Sequence, residues 1–515
     1  MGNSHNTKKN KKKKSIKPKQ EIPTSLEEIV KVDLESKIPN NTVKRKKSKR
    51  VSIFSFVKKR EVDINDVYTF IGGLVGNKLK RMKKARHNET GIVRGVKIIN
   101  KKGISSELKK AILREIFVLK NLDHPNIIRI YEFFESKTNI YVVQQLIENA
   151  ELLTVLTTLY EYITEQQIAE IMKQILSAIT FLHTNKIVHS SLQADKIMYI
   201  DGRIKIVDFS TAVPAEDLIN ELDKSGNTFY IAPEVLQGSY NYKVDVYSAG
   251  IILYMLLTGK KPFTGGKDLI KSRIEKSQFE VPINQITKIS DEAKDVLLQM
   301  LKLNPEERPS AMEILKHDFF KEDKINQKHK TKLEFVVENL KQLQFNNKLH
   351  DAIFTFIIRE MSLDREEKEL TETFQQMDKN NDGMISFQEL NEYFQKMNLE
   401  YDREEVLEIF KMMDSDGNGH ITYSEFINAS VRKDLAITEK NVMKIFRVFD
   451  QKGDGKIDLE RFKDFLNATE TFEEEEFIQL FKDMDLNGDG YIDFQEFKIA
   501  LNSLKKKKNI KVKTK

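Results

Sequence analysis

Four segments in the C-terminal third of this 515-residue chain repeat one acidic pattern at a nearly fixed interval. Their first acidic residues are Asp378, Asp414, Asp450 and Asp485, spaced 36, 36 and 35 residues apart. A repeat of that length is one supersecondary unit that buries its apolar face on its neighbours, so the region is expected to fold as a string of similar modules. In three of the four, oxygen-bearing side chains recur at positions 1, 3, 5, 9 and 12 of a loop with Gly at position 6. That spacing wraps a hard cation: the carbonyl of position 7 adds a ligand, and the glycine makes the sharp turn.

The spacing is that of the EF-hand calcium loop. The first loop offers Asp378, Asn380, Asp382, the Met384 carbonyl, Ser386 and Glu389. The second offers Asp414, Asp416, Asn418, the His420 carbonyl, Thr422 and Glu425. The fourth offers Asp485, Asn487, Asp489, the Tyr491 carbonyl, Asp493 and Glu496. Three complete loops at a regular repeat outweigh the bland alternative, an acidic solvated face. The third loop keeps Asp450, Asp454, Gly455 and Asp458 but has Lys452 at position 3 and Arg461 at position 12. It is expected to be empty and to survive as the structural partner of the fourth. Three Ca²⁺ ions per chain are expected.

The net charge of +7 conceals an asymmetry. Residues 1–60 carry 19 Lys and Arg against 5 Asp and Glu, whereas residues 362–500 carry 17 against 34. Residues 505–515 add seven Lys. The ends are basic arms and the repeat region is acidic. Cysteine is absent, which excludes disulfides, zinc–thiolate sites and S-palmitoylation. No apolar h-region follows the N-terminus, and the longest apolar run, Ile251–Leu257, is far short of the roughly 20 residues that span a bilayer. A cytoplasmic protein is the expectation.

Residues 1–65 are Lys- and Asn-rich without apolar periodicity and read as a disordered basic extension. From 66 to 320 the pattern is globular. Short β-type runs (Val93–Ile99, Ile127–Phe134, Ile140–Leu146) alternate with helical stretches such as Ser106–Asn121 and Thr164–Thr184. Residues 321–361 begin basic and turn amphipathic, 362–503 hold the four calcium units, and 504–515 form a basic tail.

Six landmarks in the 66–320 segment resemble those of protein kinases, in order and at kinase spacing. Gly95-Val96-Lys97 resembles the strand with the phosphate-binding lysine, and Arg114-Glu115-Ile116 the helix with its partner glutamate. Asp208-Phe209-Ser210 stands where D-F-G belongs, and Ala232-Pro233-Glu234 matches A-P-E. Asp245–Gly250 (DVYSAG) and Glu307-Arg308-Pro309 match later structural landmarks. Leu340–Leu349 (LKQLQFNNKL) resembles a junction reading L-K-Q-F-x-x-x-N-K-L. Together these residues give a resemblance to the calcium-dependent protein kinase family of plants and protists over about residues 66–505. It implies an α+β bilobal kinase-like domain followed by an all-α EF-hand domain. It also implies a junction that blocks the active site at rest and docks on the calcium lobes.

The departures from that family fall on the chemistry. Where a kinase reads H-R-D-L-K-P-E-N, this chain has His189–Lys196, HSSLQADK. The family's Asp accepts the substrate hydroxyl proton, its Asn holds a second Mg²⁺ and its Lys meets the transferring phosphate. Those positions are Ser191, Lys196 and Gln193. An unactivated serine hydroxyl is a poor base at pH 7, and Asp195 is expected to face elsewhere. The glycine-rich loop aligns onto Val75, Asn77 and Lys80, with Gly72, Gly73 and Gly76 nearby but wrongly spaced. Side chains there obstruct the close approach of backbone to phosphate. The G-T before A-P-E is Gly226-Asn227, and the hinge Glu is Gln145. Leu119, Ile130, His189 and Phe209 match the stacked residues that join the kinase lobes, with Asp245 placed to anchor His189.

Two readings of Lys97, Glu115 and Asp208 stand open: weak binding of ATP with Mg²⁺, or a buried ion pair kept for structure. The N-terminus, MGNSHN, begins like an N-myristoylation signal at Gly2, although Asn6 replaces the usual Ser or Thr. One acyl chain binds membranes marginally, and the cluster Lys8–Lys14 would supply attraction to anionic lipid. The bland alternative is a solvated tail; nucleic acid is not the expected partner.

Three functions are thus weighed. The first is a calcium-sensing pseudokinase, acting in signal transduction as a Ca²⁺-regulated scaffold or binding module for a protein partner. The second is a Ca²⁺-regulated Ser/Thr kinase with atypical phosphotransfer, and the third a calcium buffer. The 321–361 segment argues for coupling and against buffering; Ser191 and Lys196 argue against catalysis.

Overall fold

The computed structural model describes residues 57–60, 62–76, 80–147, 151–154, 163–200, 202–215, 228–238, 240–286, 289–321, 364–397, 399, 401–415, 417–431, 438–450, 453–466 and 474–503. The amphipathic segment 322–361, the basic tail 504–515, Gly2, the Lys8–Lys14 cluster, Asn77, Gly226-Asn227, Asp416 and Lys452 lie outside the described residues.

A six-stranded sheet forms the first lobe. Its strands are β1 (Lys58–Arg60), β2 (Tyr68–Gly76), β3 (Lys80–His87), β4 (Val93–Asn100), β5 (Ile130–Glu135) and β6 (Asn139–Gln144), in spatial order β1-β5-β6-β4-β3-β2. The short helix α1 (Ile64–Val67) precedes β2, capped by the Asp63 side chain on the Asn65 amide. Strand β1 runs parallel to β5 at the sheet edge, with Lys58 opposite Glu132 and Arg60 opposite Phe134. Residues 57–60, 64 and 65 therefore belong to the folded lobe, where composition alone places them in the basic extension. The Arg60 guanidinium meets Glu132 at 2.5 Å, and Tyr68 donates to the same carboxylate at 2.6 Å. A lysine-rich segment thus gains apolar and ionic partners that its own pattern does not show.

Helix α2 (Ser106–Lys120) packs beside this sheet, capped by the Ser105 hydroxyl on the Leu108 amide. The second lobe is built on α3 (Glu165–Thr184), which opens with a Thr164/Gln167 capping box, and on α4 (Pro233–Gln237) and α5 (Val244–Thr258). Every residue of α5 is buried. A helix apolar all round belongs in a core, which accounts for the uninterrupted run at Ile251–Leu257. Helices α6 (Lys267–Glu275), α7 (Asp291–Met300) and α8 (Ala311–Ile314) complete the lobe.

The acidic region is helical: α9 (Asp364–Met377), α10 (Phe387–Lys396), α11 (Arg403–Met413), α12 (Tyr423–Ser430), α13 (Glu439–Phe449), α14 (Leu459–Leu466), α15 (Glu474–Met484) and α16 (Phe494–Ser503). Each loop is tied to its neighbour by a two-residue ladder. Ile385 faces Ile421 between the first and second loops, and Ile457 faces Ile492 between the third and fourth. One apolar core runs from Leu370 to Leu501 through all four units. Among the described residues, no helix is long and apolar enough to cross a membrane.

Candidate nucleotide cleft and calcium loops

Lys97 sits on β4, between β3 and β6, and its ammonium lies 2.6 Å from both carboxylate oxygens of Glu115 on α2. Burial alone would lower the Lys97 pKa. Attraction to Glu115 and then Asp208 outweighs it, so the net shift is upward and the lysine stays charged. The sequence expectation that Lys97 and Glu115 pair holds geometrically. Asp208 adopts a left-handed backbone, φ 62°, rarely occupied by residues other than glycine. That conformation turns its carboxylate toward both Lys97 and Lys196.

The loop His189–Lys196 is held from below by Asp245, which accepts from the backbone N–H groups of His189 and Ser190, both at 2.9 Å. The anchor grips the backbone rather than the imidazole. His189 is fully buried, and its ring lies 4.9 Å from that of Phe209. Burial, with Lys196 adding to it, lowers the His189 pKa to about 4. Leu119, Ile130 and Phe209 share one buried cluster, as expected for the residues joining the lobes. Arg308 is fully buried and forms a two-pronged pair with Glu234, at 2.6 and 3.0 Å. That pair locks the A-P-E helix to the E-R-P turn.

At the reacting positions the three substituted residues bond to one another. Ser191 Oγ accepts from Lys196 Nζ at 2.9 Å and from Gln193 Nε2 at 3.3 Å. Lys196 Nζ also lies 3.4 Å from Asp208 Oδ2. The hydroxyl therefore accepts two hydrogen bonds, and the Lys196 ammonium lies against Asp208. A cation at the position where the kinase motif has a metal-holding Asn does not fit a second Mg²⁺. Asp195 is exposed on the outside of its turn. Val75 and Gly76 extend β2 opposite Met82 and Arg81, with an irregularity between Ile71 and Val75.

In the calcium loops the position-1 carboxylates organise the turn through backbone amides. Asp378 accepts from Asp382 N at 3.1 Å and Gly383 N at 2.9 Å, and Asp414 from Asn418 N and Gly419 N at 3.0 Å each. Asp485 accepts from Gly488, Asp489 and Gly490. The position-12 glutamates also rest on protein donors: Glu389 on Asn380 and Ser386, Glu425 on Ser415 and Thr422, Glu496 on Leu486, Asn487 and Asp493. Burial, then the neighbouring Asp382 and Glu389, raise the Asp378 pKa well above its usual value, and Asp382 is raised as well. Carboxylates crowded in this way fit a bound cation. Met384, Thr422 and Asp493 lie in the two-residue ladders, Ser386 and Thr422 cap the helices that follow, and His420 and Tyr491 immediately precede the ladder strands.

In the third loop, which the sequence reading leaves without calcium, the chain's own Arg461 turns back among the loop oxygens. The guanidinium donates from both Nη atoms to Asp454 at 3.1 Å and from Nη1 to the Lys456 carbonyl at 2.6 Å. Its Nε lies 3.1 Å from Asp458 Oδ2, and Nη1 lies 3.8 Å from Asp450 Oδ1. The Arg461 hydrogen bond holds the Asp454 carboxyl down at about 2.

No motif or spacing announces the contact between the first pair of loops and the kinase-like lobes. Asp123 accepts from the N–H and the hydroxyl of Ser424, and Gln375 donates to Asn126 at 3.0 Å. Gly383 lies so close to His124 and Phe181 that a Cβ would stand 2.4 Å from the Phe181 ring. With φ at 80° as well, only glycine fits there.

The family model for a protein kinase domain matches residues 78–320, and that for an EF-hand domain pair matches 367–430 and 439–501. The chain is 35% identical over 346 residues to calcium-dependent protein kinase 4 of Plasmodium falciparum (isolate 3D7), covering 65% of each. It is 34% identical over 332 residues to calcium-dependent protein kinase 5 of the same organism, covering 63% of this chain and 57% of that one. It is 34% identical over 316 residues to calcium-dependent protein kinase 3 of Plasmodium yoelii yoelii, covering 60% and 58%. The chain thus matches about two thirds or less of the length of these relatives. In architecture, a kinase domain followed by two EF-hand pairs, the chain is similar to the calcium-dependent protein kinases.

Proposed function

We propose that this chain is a calcium-sensing pseudokinase, a Ca²⁺-regulated binding module whose kinase-like domain presents a surface to a protein partner. One observation carries the reading. Ser191, Gln193 and Lys196 occupy the three reacting positions and satisfy one another, and Lys196 also lies against Asp208. A general base contributes about 10²–10⁴-fold to such a transfer, and Ser191 stands in its place. Calcium supplies the charge that draws the carboxylates of the first, second and fourth loops together. The chain's own residues then transmit the change, because Ser424 of the second loop and Gly383 of the first lie against the kinase-like lobes. That contact favours a sensor over a passive buffer.

The formed Lys97–Glu115 pair supports the second reading, an atypical Ser/Thr kinase that binds ATP. Phosphotransfer by purified protein, with and without Ca²⁺, decides between them, with Ser191→Asp alongside. No Ca²⁺-stimulated activity is expected from either protein, since Lys196 remains in place. Robust transfer abolished by Lys97→Ala would sink the pseudokinase reading. Attachment to anionic membrane through an acylated Gly2 and the Lys8–Lys14 cluster completes the proposal. Gly2→Ala and raised salt should each move the protein to the soluble fraction.

A further inference from the structure

In the third loop one side chain meets the oxygens of four calcium-ligand positions at once. The Arg461 guanidinium reaches Asp450 at position 1, Asp454 at position 5, the Lys456 carbonyl at position 7 and Asp458 at position 9. Its own backbone N–H donates to Asp458 at 2.8 Å, which fixes the start of α14 and aims the side chain inward. The side chain is only 12% exposed. A planar guanidinium presents five donors in a fixed fork, so one Arg can satisfy several carboxylates together. A divalent ion would have to displace this group and would find no carboxylate at position 12. Calcium does not fit the loop as it stands.

We propose that Arg461 is a covalently attached substitute for calcium, so that the third loop is formed and closed at all calcium concentrations. The second pair of hands is then a one-ion module. Its ladder, Ile457 against Ile492 and Lys456 against Asp493, is presented to the fourth loop before any ion arrives. Calcium responses of that pair come from the fourth loop alone. This inference goes beyond the pseudokinase reading and is independent of whether the first lobe transfers phosphate.

Amide hydrogen exchange on the full chain tests it, in EGTA and in saturating Ca²⁺, with calorimetric calcium stoichiometry beside it. The wild-type peptide over 453–461 should be protected in EGTA and change less than about twofold on adding calcium, with three ions bound. Arg461→Met should speed exchange there at least about tenfold in EGTA, while exchange over α3 (Glu165–Thr184) stays unchanged and shows the chain folded. Arg461→Lys keeps the charge but loses the fork, and should fall between. Arg461→Glu supplies a carboxylate at position 12 and should make protection of this loop depend on calcium. Four ions bound by the wild type, strong calcium-induced protection of its third loop, or unchanged exchange in Arg461→Met would each overturn the proposal.

Discussion

The carboxylate of Asp123 accepts hydrogen bonds from both the backbone N–H and the hydroxyl of Ser424, at 2.8 and 2.7 Å, across 301 residues of chain. Both donors are buried, and Ser424 immediately precedes Glu425, the position-12 residue of the second calcium loop. Asp123 thus does for α12 what a capping residue does, from another domain. Glu425 itself rests on Ser415 and Thr422 donors.

Asp123→Ala should therefore loosen the contact and free the loop. Hydrogen bonds to a charged group contribute about 1.5–3 kcal/mol. Because docking and calcium binding share the loop, linkage requires each to alter the other. Apparent calcium affinity should rise at least severalfold, with faster amide exchange around 423–426. Calorimetry showing no change would remove Asp123 from the coupling.

Acid should destabilise the fold in a defined window. Burial, then Lys205, lowers the His124 pKa to about 3, and burial, then Lys196, lowers that of His189 to about 4. Both are held neutral in the fold, whereas the unfolded chain protonates them near 6.5. Their contribution is complete above that value and is lost as pH falls toward the folded-state values. Each costs about 1.4 kcal/mol per pH unit. Thermal midpoints in EGTA should fall between pH 6.5 and 4.5, and His124→Asn should flatten the slope. A midpoint independent of pH over that range would contradict the argument.

Arg308→Met should be among the most damaging single changes in the second lobe. It leaves the Glu234 carboxylate buried without its counter-charge, at a cost of about 3–5 kcal/mol. Adding Glu234→Leu removes the stranded charge and should recover much of the loss. Urea denaturation of the two variants makes the comparison.

Magnesium should not improve nucleotide binding. Lys196 places its ammonium 3.4 Å from the Asp208 carboxylate. The thermal midpoint with ATP in EDTA should match that with ATP and Mg²⁺. Lys196→Asn should make the midpoint respond to the metal. A wild-type response to Mg²⁺ would show that the lysine yields its place.

The parts of this molecule that announce themselves in sequence are those with local causes. The calcium loops follow from fixed spacing, α5 from an unbroken apolar run, and β4, β5 and β6 from β-branched and aromatic residues. Strand β3, KRMKKARH, has no such pattern and exists because β2 and β4 flank it on both sides. Arg461 could be read as a missing ligand, but its return into the loop depends on side-chain direction, which spacing does not carry. The Asp123–Ser424 contact joins two unremarked residues whose meeting is decided only by how distant elements pack.

The strand Lys58–Arg60 has a practical consequence for anyone shortening this protein. A cut placed before Val57 keeps all of β1. A cut placed after residue 65, where composition suggests the domain begins, removes β1 and leaves β5 with an open row of amide and carbonyl groups. It also deprives the buried Glu132 of its guanidinium. An unprotected edge of that kind recruits other strands. Fragments starting near residue 66 should self-associate, and the apparent oligomer would be a product of the scissors rather than of the protein.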